Sequence, residues 1–207
     1  MKIYLIRHGQ TDWNTQGRIQ GRQDISLNET GRKQARLLAE GMDKRPVTQI
    51  FCSRQKRAAE TALEIGRRQN VEVLAVEGLE EVEFGRWEGL TTEEIQEQYP
   101  QEYERWMINP VEVAPPGGET LTEVVTRCAR TAEAIFARAE GDIAIVSHGA
   151  TLAHMMAWLL RDQSEDEEDI IVENASITTI HYIPLTGVFT LMEANDTSHL
   201  RKLDEIS

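Results

Sequence analysis

Two histidines of this 207-residue chain stand in matching surroundings. His8 lies in Lys2-Ile3-Tyr4-Leu5-Ile6-Arg7-His8-Gly9-Gln10-Thr11, and His148 lies in Ile143-Ala144-Ile145-Val146-Ser147-His148-Gly149-Ala150-Thr151. Each phrase is an apolar run that ends on a polar residue and passes into His-Gly-x-Thr. A lone histidine after such a run is ordinarily a surface residue or a satisfied one. A matched pair, one member preceded by arginine, is a candidate for chemistry, because neutral imidazole is a nucleophile and proton carrier near neutral pH. Arginine is the second signal. The net charge is −13, yet basic residues concentrate in the first third, among them Arg7, Arg18, Arg22, Arg54, Lys56 and Arg57. A local positive island in an acidic protein suits an anionic ligand. Arg54 and Arg57 open an expected helix, where cations oppose the helix dipole and where anions are attracted.

The elements that must position these residues follow from the pattern. Continuous β-branched runs bounded by glycine read as strands covered on both faces, as in α/β sheets. Ligands of such sheets bind beyond the carboxyl ends of the strands. If the two His-Gly strands are neighbours, His8 and His148 face each other there. The stretch from Gln10 to Thr30 is expected to be a long, glycine-bearing loop of the kind that is functional or mobile. Asn28 is positioned to cap a helix that buries Ala35, Leu38, Ala39 and Met42 on one face. Strand Gln49–Ser53 follows, and then a helix over 55–68 burying Ala58, Ala59, Ala62, Leu63 and Ile65. A third strand is expected over 71–76. The interval that follows changes character: it is acidic, aromatic and glycine-punctuated, with short helices over 92–98 and 101–107 and an irregular piece over 109–118. It reads as an insertion over the sheet in which Trp87, Tyr99, Tyr103 and Trp106 pack. A helix over 120–139, the His148 strand, a helix over 150–160 and strands over 176–183 and 188–193 complete an α/β pattern with an antiparallel addition.

Composition removes other classes. The length fits one domain, or one domain with an insertion. No apolar run approaches the roughly 18 residues needed to span a bilayer, and the first run ends in Arg-His instead of a cleavage site, so no signal peptide is expected. The acidic balance argues against nucleic-acid or anionic-membrane partners. Cys52 and Cys128 lack metal-ligand spacing and suggest a reducing compartment, with the cytoplasm as default. The acidic run Glu165-Asp166-Glu167-Glu168-Asp169 reads as a solvated face without a function.

Taken together, Arg7-His8-Gly9, Asn14, Arg57 within Ser53-Arg54-Gln55-Lys56-Arg57-Ala58-Ala59-Glu60-Thr61-Ala62, the box Leu79-Glu80-Glu81…Phe84-Gly85-Arg86-Trp87-Glu88-Gly89, Pro116-Gly117-Gly118-Glu119 and Ser147-His148-Gly149 resemble the histidine phosphatase superfamily. The likeness is to the branch of cofactor-dependent phosphoglycerate mutases and broad-specificity phosphatases, and it runs along nearly the whole chain. It implies a three-layer α/β/α sandwich with a mostly parallel central sheet, one domain over 1–207 with a small cap insertion at about 83–118. It implies His8 as the nucleophile that becomes phosphorylated, and Arg7, Arg57 and His148 as the pocket around the phosphoryl oxygens. Asn14, Gln20, Gly21 and Gly149 add phosphate contacts. Glu81 aligns with the acid–base carboxylate, with Glu80 and Glu83 as its competitors. Glutamine at position 10, where relatives often carry glutamate, does not threaten this chemistry.

The chemistry has its own logic. Phosphoryl transfer requires a positioned nucleophile and cations around the equatorial oxygens, and arginine forks match phosphate oxygens. His148, if protonated, adds a cation. The leaving alkoxide requires a proton, which suits Glu81 if a crowded anionic setting keeps it protonated. No cofactor and no metal is expected. Mutases share this machinery but carry, after the acid, a longer segment with a tyrosine-glycine and basic residues; here Glu83 to Leu90 is short, aromatic and acidic. The expectation is therefore a metal-independent phosphatase acting on small phosphorylated metabolites. The alternatives are a cofactor-dependent phosphoglycerate mutase and a non-catalytic module that binds phosphorylated ligands. The apolar edge of the final strands is where family habit offers a homodimer.

Overall fold

The computed structural model describes residues 1–161 and 171–204. The acidic run 165–169 lies outside the described residues. The elements in chain order are β1 (Lys2–Arg7), a helical turn α1 (Asp12–Thr15), α2 (Glu29–Gly41), β2 (Gln49–Cys52), α3 (Lys56–Gln69), β3 (Val73–Ala75), α4 (Thr92–Gln98), α5 (Pro100–Ile108), α6 (Leu121–Phe136), β4 (Ile143–Ser147), α7 (Gly149–Leu160), β5 (Ile177–Ile183) and β6 (Val188–Asp196). The six strands form one sheet in the order β3-β2-β4-β1-β5-β6. The first four run parallel, while β5 and β6 are antiparallel additions.

Strand alternation divides the core into two layers. Ile3, Leu5, Ile143, Ile145 and Phe51 pack on one face with Val124, Cys128, Ala132 and Ile135 of α6 and Leu152, Met155 and Met156 of α7. Tyr4, Ile6, Ala144, Val146 and Ile50 pack on the other with Leu38 and Ala39 of α2 and Ala58, Ala62 and Ile65 of α3. Because successive strand residues point to opposite faces, a run of apolar residues must be covered by helices on both sides. The sandwich follows from that.

Local differences from the sequence pattern have physical causes. The expected loop after β1 contains α1, because Thr11 and Asn14 cap each other reciprocally: Thr11 Oγ1 accepts from Asn14 N, and Thr11 N donates to Asn14 Oδ1. This is a capping box with asparagine in place of the usual acid. In α3, Leu63 is exposed and Ala59 only partly buried, while Arg57 and Thr61 are fully buried. The buried stripe of α3 thus carries polar chemistry where apolar residues were expected. Arg54 points away from it and pairs at the surface with Glu77.

Between β3 and α6 the chain adds α4 and α5 without a strand. Trp87 is buried and holds this segment by ring contacts to Tyr103 and Trp106 at 5.8 and 5.5 Å. Such contacts are worth about 0.5–1.5 kcal/mol each beyond their buried area.

One close approach fixes where β1 delivers its polar end. The N-terminus of α2 is pressed against Gly9 and Gln10, so that a Cβ at Gly31 would lie 2.0 Å from the Gln10 carbonyl oxygen and one at Gly9 2.6 Å from the Gly31 oxygen. Gln10 completes the junction, its side chain accepting from Asn28 Nδ2 and its N–H donating to Gln34. Gly31→Ala is expected to destabilise the protein by about 1–3 kcal/mol, the usual effect of overpacking. Exposed Lys33→Ala should stay within about 0.5 kcal/mol. Urea unfolding midpoints of the two variants would check this.

Candidate active site

β1 and β4 lie side by side with Arg7 opposite Ser147. His8 and His148 therefore leave the sheet together at its carboxyl end, with ring centroids 5.2 Å apart. Both rings are buried. His8 Nδ1 lies 2.7 Å from the Gly9 carbonyl oxygen. A carbonyl can only accept, so Nδ1 carries the proton and Nε2 keeps its lone pair. Arg57 Nε donates to that Nε2 at 3.3 Å. His148 Nε2 lies 2.8 Å from Ser53 Oγ, and its buried Nδ1 has no partner.

Burial, reinforced by the Arg57 and Arg7 charges, holds His8 well below the usual imidazole range. Burial does the same to His148, followed by Arg57, His8 and Arg7. Both rings are neutral near pH 7. The cation expected of His148 if it is protonated is not carried by the protein alone, where burial keeps the ring uncharged; the ring is buried beside that of His8 and does not line the cleft.

The positive charge comes from two guanidinium groups. Arg57, in the first turn of α3, is fully buried and donates from Nη1 to the Gln23 carbonyl at 2.7 Å and from Nη2 to the Gly21 carbonyl at 3.0 Å. Arg7 donates from Nη1 to the Val172 carbonyl at 2.5 Å, and its buried Nε has no partner. Among the described residues neither arginine has a carboxylate within ion-pair distance. Burial lowers the pKa of both, Arg57 to about 10, which still leaves them charged.

Two glycines make this geometry accessible. Gly21 has φ +51°, and a Cβ there would collide with Glu88; the left-handed backbone turns its carbonyl toward Arg57. At Gly149 a Cβ would lie 3.3 Å from the Arg7 guanidinium, so glycine lets that group rest on the first turn of α7.

Neutral donors complete the cleft. Thr11 Oγ1 lies 3.0 Å from Asn14 Oδ1 and 3.0 Å from Gln20 Oε1. With the amide oxygens occupied there, the NH₂ groups of both side chains are left for a ligand. Glu81 is seated on the N-terminus of α7, accepting from Thr151 N, Thr151 Oγ1 and Ala150 N at 3.0, 3.0 and 3.3 Å. The anionic crowding expected around Glu81 is absent from its contacts, which are donors. Its competitors point elsewhere: Glu80 accepts from Gly78 N and faces Arg22, and Glu83 is exposed.

The cleft, about 420 Å³, is lined by Arg7, His8, Asn14, Gln20, Gly21, Arg57, Glu81 and Gly149. Arg18, named above only in the basic island, and Phe84, named only in the family box, also line it, as do Ile19, Ala150, Ala153 and Val172, to which sequence reasoning gave no role in the site. Nor did it give one to Gln55, which bridges the two halves by donating to the Gly21 carbonyl and accepting from Glu81 N. Its position inside the Arg57 motif was the available signal. Asn174, which donates to the His8 carbonyl, had none. Buried Cys52 and Cys128 are free thiols pushed up to about 11, and neither lines the cleft.

Known proteins share this architecture. The model of the histidine phosphatase superfamily (branch 1) matches residues 3–197. Phosphoserine phosphatase 1 of Hydrogenobacter thermophilus is 34% identical over 201 residues, which cover 97% of this chain and 94% of that protein. The metal-independent phosphoserine phosphatase of Arabidopsis thaliana is 35% identical over 186 residues, 87% of this chain and 76% of that one. The structure of a mycobacterial glucosyl-3-phosphoglycerate phosphatase complexed with VO3 superposes with a TM-score of 0.81 at 30% identity, covering 95% and 99% of the two chains.

The neutral, buried imidazoles give a stability signature. An unfolded chain protonates its histidines below about pH 6.5, whereas the folded one holds His8 and His148 unprotonated. The unfolded state then binds more protons, so stability falls as the pH drops through 6.5 toward the depressed folded values, by about 1.4 kcal/mol per pH unit for each ring. Thermal melts between pH 7.5 and 5 should show this slope. His8→Asn and His148→Asn should each remove about one proton from it, leaving the smaller contributions of His154 and His199, which burial also lowers.

Proposed function

The chain belongs to branch 1 of the histidine phosphatase superfamily, and from that premise we propose that it hydrolyses small phosphomonoesters through a phosphohistidine on His8, without a metal. The observation that carries the proposal is the fully buried Arg57 guanidinium, which among the described residues has no carboxylate within ion-pair distance and donates to His8 Nε2, with the partly buried Arg7 guanidinium lining the same cleft. A buried, uncompensated cation is destabilising by several kcal/mol. A dianionic phosphoryl group bound there removes that penalty and is presented to the nucleophile.

The steps follow from the contacts. His8 Nε2 attacks phosphorus, the phosphorus–oxygen ester bond breaks, and the ring becomes cationic. The Gly9 carbonyl, already accepting from Nδ1, stabilises that charge. Arg7 and Arg57 hold the equatorial oxygens with the amides of Asn14 and Gln20, and the open first turn of α7 adds its dipole. The dianionic phosphoryl group brings negative charge beside Glu81 and so favours its protonated form, and Glu81 gives that proton to the departing alkoxide. It then takes one from the attacking water, which displaces His8 and releases inorganic phosphate. His148, buried with its ring centroid 5.2 Å from that of His8, packs against the nucleophile.

The names of the relatives support hydrolysis, and one of them is described as metal-independent. The segment over 83–118 is read as a cap on this cleft, which Phe84 reaches. Among the described residues no helix is long and apolar enough to cross a membrane, and the cytoplasm is the compartment we assign. Exposed Val188, Leu191 and Met192 on the outer strand β6 support a homodimer, which sedimentation would test.

His8→Ala is expected to abolish both turnover and phosphoenzyme formation, measured by phosphate release in EDTA and by acid-quenched labelling; either activity surviving sinks the nucleophile assignment. Glu81→Gln is expected to slow alkyl esters by about 10²–10⁴-fold while sparing aryl esters whose leaving groups need no proton. Equal losses on both ester types would move the acid role away from Glu81.

A further inference from the structure

A second cavity, about 380 Å³, lies beneath α5 and adjoins the phosphate cleft. The two share Phe84 and Ala150 as walls. The remaining surface is largely apolar, formed by Val82, Trp106, Leu121 and Val124. Glu81 stands at the junction. It accepts from the N–H of Ala150 and from that of Val82, and both of those residues line the second cavity. A leaving group protonated by Glu81 therefore has this cavity next to its oxygen.

The polar groups of the cavity do not suit a charged tail. Its one carboxylate, Glu119, is already held by Arg127 at 2.8 and 2.9 Å, by Arg22 at 3.4 Å and by the Glu83 N–H at 2.8 Å. Among the described residues no arginine or lysine lines it, and His154 is half-buried with its pKa lowered by burial, which keeps it neutral. A carboxylate or ammonium placed there would lose its hydration without gaining a partner. An apolar group would gain about 25 cal/mol for each Å² it buries. An apolar cavity of about 150 Å³ is enough for a benzene ring, so this one has room for more than a single ring.

We infer that the cavity under α5 is the site for the organic part of the substrate, and that the protein prefers phosphomonoesters of bulky apolar groups, aryl or alkyl, over esters whose tails carry charge. The inference rests on the phosphatase reading for its chemistry, but the cavity itself can be tested without catalysis.

Calorimetric titration with alkylphosphonates from methyl to octyl, which cannot be hydrolysed, measures it directly. Affinity is expected to rise by about threefold per methylene until the cavity is filled. The phosphonate analogue of phosphoserine should bind no better than methylphosphonate. The kcat/KM values of the matching phosphate esters should rise in parallel. Leu121→Trp, which fills the cavity from α6, should bring the ratio of octyl to methyl affinity close to one. A flat phosphonate series overturns the inference, even if every ester is hydrolysed. So does a steep series that Leu121→Trp leaves unchanged with its fold intact by circular dichroism, since the chains would then be bound elsewhere. A steep series that Leu121→Trp flattens, with no phosphate released from any ester, upholds the cavity assignment and overturns the hydrolytic reading instead.

Discussion

The structure depends on keeping two guanidinium groups charged in a place where water is scarce. Arg57 is as buried as the isoleucines of the core, and among the described residues its guanidinium donates, besides to His8, to the carbonyls of Gly21 and Gln23. Neutral carbonyls satisfy the donors without cancelling the charge. A carboxylate in the same place would stabilise the empty protein more and would also fill the anion site. The first loop can be understood as the solution to that constraint. It carries Gly21 and Gln23 to Arg57, and it is pinned by Glu88, which accepts from Arg22 N and from Gln23 Nε2.

The protonation state of the histidines follows from the same charges. Buried and close to two cations, His8 stays neutral, and the Gly9 carbonyl selects the tautomer whose Nε2 carries no proton. That nitrogen is the one facing Arg57. In the proposed reaction the arginines would thus both bind the anion and keep His8 neutral. Glu81 is placed by a different device, the first turn of α7, whose N–H groups lack intrahelical partners. His148 is the N-cap residue of that helix but makes no side-chain cap, so its backbone N–H groups are left for Glu81. Glu81 and His8 are held by separate elements, and Gln55 ties Glu81 to the Gly21 turn that cages Arg57.

The segment between β3 and α6 contributes walls to both the cleft and the cavity beside it. Its fold comes from Trp87 and its ring partners and from Glu119, which joins Arg22 of the first loop to Arg127 of α6. Charged groups are thereby spent on holding the segment in place, which leaves the cavity beneath it apolar. The contrast between a cationic phosphate cleft and an apolar neighbour is what gives the site a direction.

The sequence by itself determined the elements and the chemistry they carry. Apolar runs in β1 and β4 required cover on both faces, Asn28 marked a helix start, and the polar strand ends placed His8 and His148 where such sheets bind ligands. These signals are local, because capping and periodicity are properties of neighbouring residues. Arg57 was legible as an anion ligand, though Arg54 beside it was equally so; only the packing of α3 buried one and exposed the other. The neutral state of His148, the carbonyl cage of Arg57, the bridging Gln55 and the contact from Asn174 had to await the tertiary structure. Each depends on groups brought together from distant parts of the chain, as when Asn174 reaches the His8 carbonyl across 166 residues. Burial and partnership set the charge of a side chain, and neither is written in the spacing of the residues around it.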